Sequence, residues 1–178
     1  MMRKKRAEKK VLGLVGFPLG HSFSKKYFTQ KFEKEGYDDF SYELFELPSL
    51  DQLPQIIQDQ PDLIGFNVTI PYKTDILKML DSIDPEAGTI GAVNTVKIEH
   101  GKLKGFNTDV FGFEKSLQIF LNQNNPRIKN GLILGTGGAS KAVQFVFKKK
   151  QIRFKLVSRT TRENSILYKD LNSSHFEG

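Results

Sequence analysis

Hydrophobic positions in this chain come in short blocks separated by polar turns, and the blocks switch between strand-like and helix-like spacing. Val11 to Val15 is an apolar run broken by Gly13, which predicts a first parallel strand. Gly16-Phe17-Pro18-Leu19-Gly20 then reads as a loop. Phe28 and Phe32 stand four apart, so Lys25 to Glu35 predicts a helix with one apolar face. Ser24 is its expected N-cap and Gly36 its stop. Phe40, Tyr42 and Leu44 alternate with Ser41 and Glu43, the pattern of a half-exposed strand. Ser49 is placed to cap a helix carrying Leu50, Leu53, Ile56 and Ile57. Leu63 to Val68 predicts a buried strand running into polar side chains and one lysine. Pro71 has no N–H and biases Ile70 away from helix, so the strand ends about there. Lys73 then stands at the start of a helix marked by Ile76, Leu77 and Leu80.

The second half continues the alternation. Pro85 suits the first turn of a short helix. Gly91 to Ile98 predicts a strand, Glu99-His100-Gly101-Lys102 a hairpin turn, and Leu103 to Phe106 the returning strand. Asn107-Thr108-Asp109 opens a helix whose apolar face is Val110, Phe113, Leu117, Phe120 and Leu121. Asn122 to Pro126 is a polar break. Gly131 to Leu134 is a buried strand, followed by Gly135-Thr136-Gly137-Gly138-Ala139-Ser140 and a helix with Ala142, Val143, Val146 and Phe147. Phe154 to Val157 is the next strand and leads into Ser158-Arg159-Thr160. Strands alternating with helices predict an α/β fold with a mostly parallel sheet.

Composition narrows the function classes. At 178 residues the chain holds one ordinary domain or two small ones. Having no cysteine, it has no disulfide and no thiolate chemistry. Its three histidines show no metal-ligand spacing, and no metal site is expected. The net charge of +7 would suit nucleic acid, but residues 1–10 alone carry +5, leaving +2 for the rest. The excess is a basic head, expected to be disordered, and no nucleic-acid partner is expected. No apolar run reaches membrane-helix length, so no membrane partner is expected either.

Three stretches carry candidate chemistry. Ser22 and Ser24 lie at a helix N-terminus, where free N–H groups and the helix dipole favour an anion. Asn67 and Thr69 share one side of a strand end just before Lys73, and strand ends are where α/β proteins place ligand groups. Lys73 there can bind a hydroxyl or act in acid–base chemistry. Gly135 to Ser140, between a strand and a helix, forms a dinucleotide fingerprint whose glycines allow a tight turn and close approach of a pyrophosphate. Its third glycine is replaced by Ser140. After the next strand an NAD site would place Asp or Glu. This chain has Ser158, Arg159 and Thr160, which suit the 2′-phosphate of NADP.

Taken together, these motifs resemble the shikimate dehydrogenase family. The matches run in order from Gly13 to about Thr160: His21-Ser22-Phe23-Ser24, Asn67-Val68-Thr69-Ile70-Pro71-Tyr72-Lys73, Gly91-Ala92-Val93-Asn94-Thr95, Gly105-Phe106-Asn107-Thr108-Asp109, and the glycine loop. The resemblance implies NADPH-dependent, reversible reduction of 3-dehydroshikimate to shikimate in a cytoplasmic monomer or homodimer. It implies that Ser22 and Ser24 take the substrate carboxylate, and that Thr69, Asn94, Lys73 and Asp109 contact ring hydroxyls, with Asn67 beside them. Lys73 and Asp109 match the family's catalytic pair.

The expected domains are a substrate-binding catalytic domain over 11–121, a linker over 122–130 and a partial Rossmann-like NADP-binding domain over 131–178. Two departures from the family stand out. Lys25 replaces the proline usual after the second serine, a first-turn position that accepts either. The 48 residues from Gly131 to Gly178 are fewer than two full βα units of roughly 30 residues each. The chain therefore reads as the N-terminal part of the enzyme, and its last two strands are expected to leave an exposed sheet edge. A quinate-acting relative and a non-catalytic fragment that only binds substrate are the alternative readings.

Overall fold

The computed structural model describes residues 9–124, 128–161 and 164–175. By its internal contacts the chain divides into two units. One holds the chain up to Asp84 together with Val93–Phe106, and the other holds Pro85–Ala92 and everything from Asn107 on. The helices over 85–90 and 109–124, which the sequence reading places in the substrate domain, thus group with the second unit. No helix among the described residues is long and apolar enough to cross a membrane.

The first unit is built on a six-stranded sheet. Strand β1 (Lys10–Gly16) leads by helix α1 (Ser24–Glu35) to β2 (Phe40–Glu46), and α2 (Leu53–Asp59) leads to β3 (Leu63–Val68). A short 3-10 helix (Asp75–Met79) precedes β4 (Ser82–Ile83). After α3 (Pro85–Ile90), which belongs to the second unit, come β5 (Thr95–Glu99) and β6 (Lys102–Phe106). The strand order is β2-β1-β3-β5-β6-β4. The β1–β2, β1–β3 and β4–β6 pairs are parallel, while β5 runs antiparallel to both neighbours.

The periodicity explains these elements. On one sheet face Leu12 and Leu14 pair in register with Tyr42 and Leu44, and Phe28 and Phe32 of α1 close over them with Phe40 and Leu19. The Phe28 ring stacks on Tyr42 at 4.5 Å between centroids. Gly36 ends α1 in the left-handed region at φ 73°, where a side chain is costly. Val15 and Val68 are fully covered, as central parallel strands require. The hairpin between β5 and β6 turns through His100 (φ 51°) and Gly101 (φ 74°), the pair of positive values a two-residue turn needs to match strand twist.

Several expectations are corrected. Lys10 is not part of a disordered head: it starts β1, pairs with Phe40 and bridges Asp39 at 3.1 Å. Residues 1–8 of the expected head lie outside the described residues. Ser24 is the first helical residue rather than the cap, and Ser22 Oγ accepts its N–H at 3.3 Å. Ser49 caps a separate short 3-10 turn, Leu50–Gln52, ahead of α2. The strand expected from Gly91 begins only at Thr95, because Gly91 adopts φ 68° and the segment to Asn94 makes single bonds rather than a ladder.

The second unit joins α3 to α4 (Asp109–Asn124), β7 (Asn130–Leu134), α5 (Gly138–Lys149), β8 (Arg153–Ser158) and β9 (Ser165–Leu167). Residues 125–127, within the expected linker, lie outside the described residues. Its sheet is parallel, in the order β7-β8-β9. Ile90, Ala92, Val110, Ala142 and Val146 form its core, with Phe113, Leu117 and Phe145 packed on it. The third strand was not expected, and it covers the β8 edge that two strands would have left open.

Candidate functional site

In the first unit, neighbouring strand ends bring the sequence-predicted polar residues together. Thr69 follows the last residue of β3, its N–H donating to Val15 O at 2.9 Å, so it is seated beside the end of β1. Asn67, on β3, faces the start of β5. Its Nδ2 donates to Thr95 Oγ1 at 3.2 Å and to Asn94 O at 3.4 Å, and Val68 N donates to the same carbonyl at 2.8 Å. Thr95 Oγ1 in turn donates to Asn94 Oδ1 at 3.1 Å. Asn94 is thus held by backbone and side chain, and only 9% of its surface is exposed. Lys73 lies in the turn after the Ile70-Pro71 cis bond, ahead of the short 3-10 helix, not at the start of a long helix. Its carbonyl accepts Val93 N at 2.7 Å, which ties the lysine turn to the segment that delivers Asn94.

Tyr42 is the residue the sequence reading missed. By pattern alone Tyr42 is an alternating strand position. In the structure its hydroxyl donates to Asn67 Oδ1 at 2.8 Å, with the Ser24 side chain near it. It therefore brings the amide cluster at the end of β3 close to Ser24 at the start of α1. Burial pushes its phenol up to about 12, and the Ser24 hydroxyl opposes that shift only in part. The available signal was its parity: Tyr42 shares the face of Phe40 and Leu44, and a tyrosine buried on an apolar face ordinarily finds a partner for its hydroxyl.

Asp109 belongs to the second unit, as the first residue of α4. Asn107, just before it, bonds twice. Its Oδ1 accepts Val110 N at 3.3 Å and its Nδ2 donates to Ala92 O at 2.9 Å.

The glycine loop follows β7. Gly135 takes φ 113°, a value side chains rarely adopt, and no atom stands within 4 Å of where a Cβ would be on Gly135 or Gly137. The loop is therefore open to close approach. Helix α5 begins with no side-chain cap on its N-terminal N–H groups and no acidic residue in its first turn. That is the donor arrangement an anionic diphosphate requires. Ser140 is buried within that first turn. At the end of β8, Ser158 is buried and accepts Thr160 N at 3.3 Å, while Arg159 and Thr160 are exposed. A cavity of about 550 Å³ borders the loop at Thr136 and is lined by Lys141, Gln144 and Phe145 of α5 and by Ile90. These residues fit a dinucleotide.

A mixed α/β unit with an amide-and-hydroxyl cluster at its strand ends, followed by a βαβ unit with an open glycine turn, defines the class: an α/β protein with a Rossmann-like βαβ unit. Comparison with known proteins specifies it further. Residues 14–96 match the family described as shikimate dehydrogenase substrate binding domain. The chain is 41% identical over 170 residues to a shikimate dehydrogenase (NADP(+)) of Methanococcus maripaludis, covering 92% of this chain and 58% of that protein. Shikimate dehydrogenase 1 from Peptoclostridium difficile superposes with a TM-score of 0.77 at 37% identity, over 89% of this chain and 59% of that one. The Thermus thermophilus enzyme in complex with NADP(H) and shikimate gives 0.71 at 35% identity, over 85% and 56%. Over most of its length the chain is similar to shikimate dehydrogenases, and it spans somewhat under three-fifths of the length of these relatives.

Proposed function

We propose that this chain supplies the substrate-binding half and the first part of the cofactor-binding half of an NADP-dependent shikimate dehydrogenase, a cytoplasmic enzyme that interconverts 3-dehydroshikimate and shikimate. The observation that carries the reading is the hydrogen-bonded cluster of Tyr42, Asn67, Asn94 and Thr95 around the end of the lysine-bearing strand, within the stretch that matches the family. Ser22 and Ser24, at the start of α1, take the substrate carboxylate. Thr69, Asn94, Lys73 and Asp109 take the ring hydroxyls, and Asn67 holds Asn94 in place. When bound, NADPH supplies the hydride to the carbonyl carbon. Lys73 stabilises the charge that develops on the carbonyl oxygen and gives it a proton; in the other direction it takes that proton back. Asp109 orients the lysine and the hydroxyl. The backbone of Gly135, Thr136, Gly137, Gly138, Ala139 and Ser140 receives the pyrophosphate, while Ser158, Arg159 and Thr160 receive the 2′-phosphate.

Shikimate-dependent reduction of NADP, with a separate NADPH titration, tests the assignment. Lys73→Ala should lower turnover by about 10²- to 10⁴-fold, the range for a positioned acid–base group, with NADPH affinity nearly unchanged. An unchanged turnover number would refute the role of Lys73. A second reading, a chain that binds shikimate without turning it over, rests on a cofactor sheet with three strands among the described residues. Saturable shikimate binding with no NADP reduction would select it.

A further inference from the structure

The four residues from Gly91 to Asn94 are held one by one. Gly91, at φ 68° just past α3, has its carbonyl bonded by Lys141 Nζ at 2.8 Å. The Ala92 carbonyl accepts Asn107 Nδ2, Val93 N donates to Lys73 O, and Asn94 N donates to Phe106 O. Ala92 and Val93 are fully buried, so the segment has no solvent-side slack. Among these bonds, Lys141 alone comes from the helix that the glycine loop opens. It directly follows Ser140 and stands in the first turn of α5. The same side chain also lines the cavity bordered by Thr136 of that loop.

We infer that Lys141 is a positioning residue that links dinucleotide binding to shikimate binding, because its ammonium both anchors the Gly91 lead-in to Asn94 and lines the cavity beside the glycine loop. The inference rests on the proposed function of the two sites. An ammonium has three donors, so it can keep the Gly91 carbonyl while bonding a phosphate oxygen. An anion that orders Lys141 also orders the Gly91 bond, and shikimate then meets a segment already in place. The second ligand therefore binds at a smaller ordering cost, and the effect is reciprocal.

The experiment titrates shikimate into the full chain with and without saturating NADPH, and repeats the pair of titrations on Lys141→Met and Lys141→Arg. NADPH should tighten shikimate binding by about tenfold in the natural chain, within the usual range for coupled sites. Lys141→Met should bring that factor close to one, and Lys141→Arg, which keeps charge and donors, should retain most of it. A purely structural cap would weaken both affinities and leave the factor unchanged, so a natural-size factor in Lys141→Met overturns the inference. A factor of one in the natural chain overturns it as well. No shikimate binding by the natural chain would instead remove the functional reading, and the inference with it. If Lys141→Met fails to fold by thermal melt, a factor in Lys141→Arg no larger than one decides against the inference.

Discussion

At the scale of single residues, Tyr42 shows how one hydroxyl organises a site. It is 2% exposed, lies under the Phe28 ring and donates to Asn67 Oδ1. Burial raises its pKa from 10.0 to about 12, so the folded chain keeps the phenol protonated where the unfolded chain releases the proton. The sign follows from linkage. The contribution is whole below pH 10 and is lost as pH rises towards 12, because the unfolded state then binds fewer protons. Urea midpoints should fall across that window, and Tyr42→Phe should flatten this part of the pH profile. An unchanged slope would mean that another group titrates there. The same substitution leaves Asn67 Oδ1 without its donor, so shikimate affinity should drop by about three- to tenfold, equivalent to the ~1 kcal/mol of an ordinary hydrogen bond, which calorimetry would detect.

At the scale of elements, the close approach of strands sets the constraints. A Cβ on Gly65 would stand 2.8 Å from the Val96 carbonyl oxygen, and that atom belongs to the backbone of β5 and cannot swing away. Gly65→Ala should therefore cost about 1–3 kcal/mol, read as a lower denaturation midpoint at constant m-value. Gly20 has nothing within 4 Å and is the control. Gly20→Ala should stay within about 0.5 kcal/mol of the natural chain, as surface changes usually do. Equal losses at both positions would show that the strand contact does not govern Gly65. In the second unit, β9 is the element that finishes the described sheet by pairing Leu156, Val157 and Ser158 with Ser165, Ile166 and Leu167.

At the scale of the whole molecule, the two units divide the proposed labour. The first carries Ser22, Ser24, Asn67, Thr69, Lys73 and Asn94; the second carries Asp109, the glycine loop and Arg159. The exposed Arg159 is the candidate reader of the 2′-phosphate. Arg159→Ala should weaken NADPH binding by about 2 kcal/mol, roughly thirtyfold, with little change for NADH, since only NADPH carries that phosphate. Shikimate affinity measured without cofactor should not move. Parallel titrations of both cofactors check this, and equal losses would show that Arg159 does not read the phosphate.

Much of this was legible in the sequence because local rules decide it. Period-two and period-3.6 spacing marked β3 to the residue and located β1, α1, α4, α5 and β8. The hairpin at His100-Gly101 was readable because φ > 0 is a demand on one or two residues, and so was the glycine loop. Three things were settled only by tertiary structure. Strand β9 is three residues long and follows β8 after six residues, too short a crossover for the usual βαβ pattern to announce it. Asn94 and Thr95 were both placed inside one strand, but which amide meets which hydroxyl depends on the antiparallel register of β3 and β5. Tyr42 and Lys141 each act across the fold, on residues 25 and 50 positions away. Local patterning determines where strands and helices run; partners distant in sequence are chosen by packing, where buried polar groups must find one another.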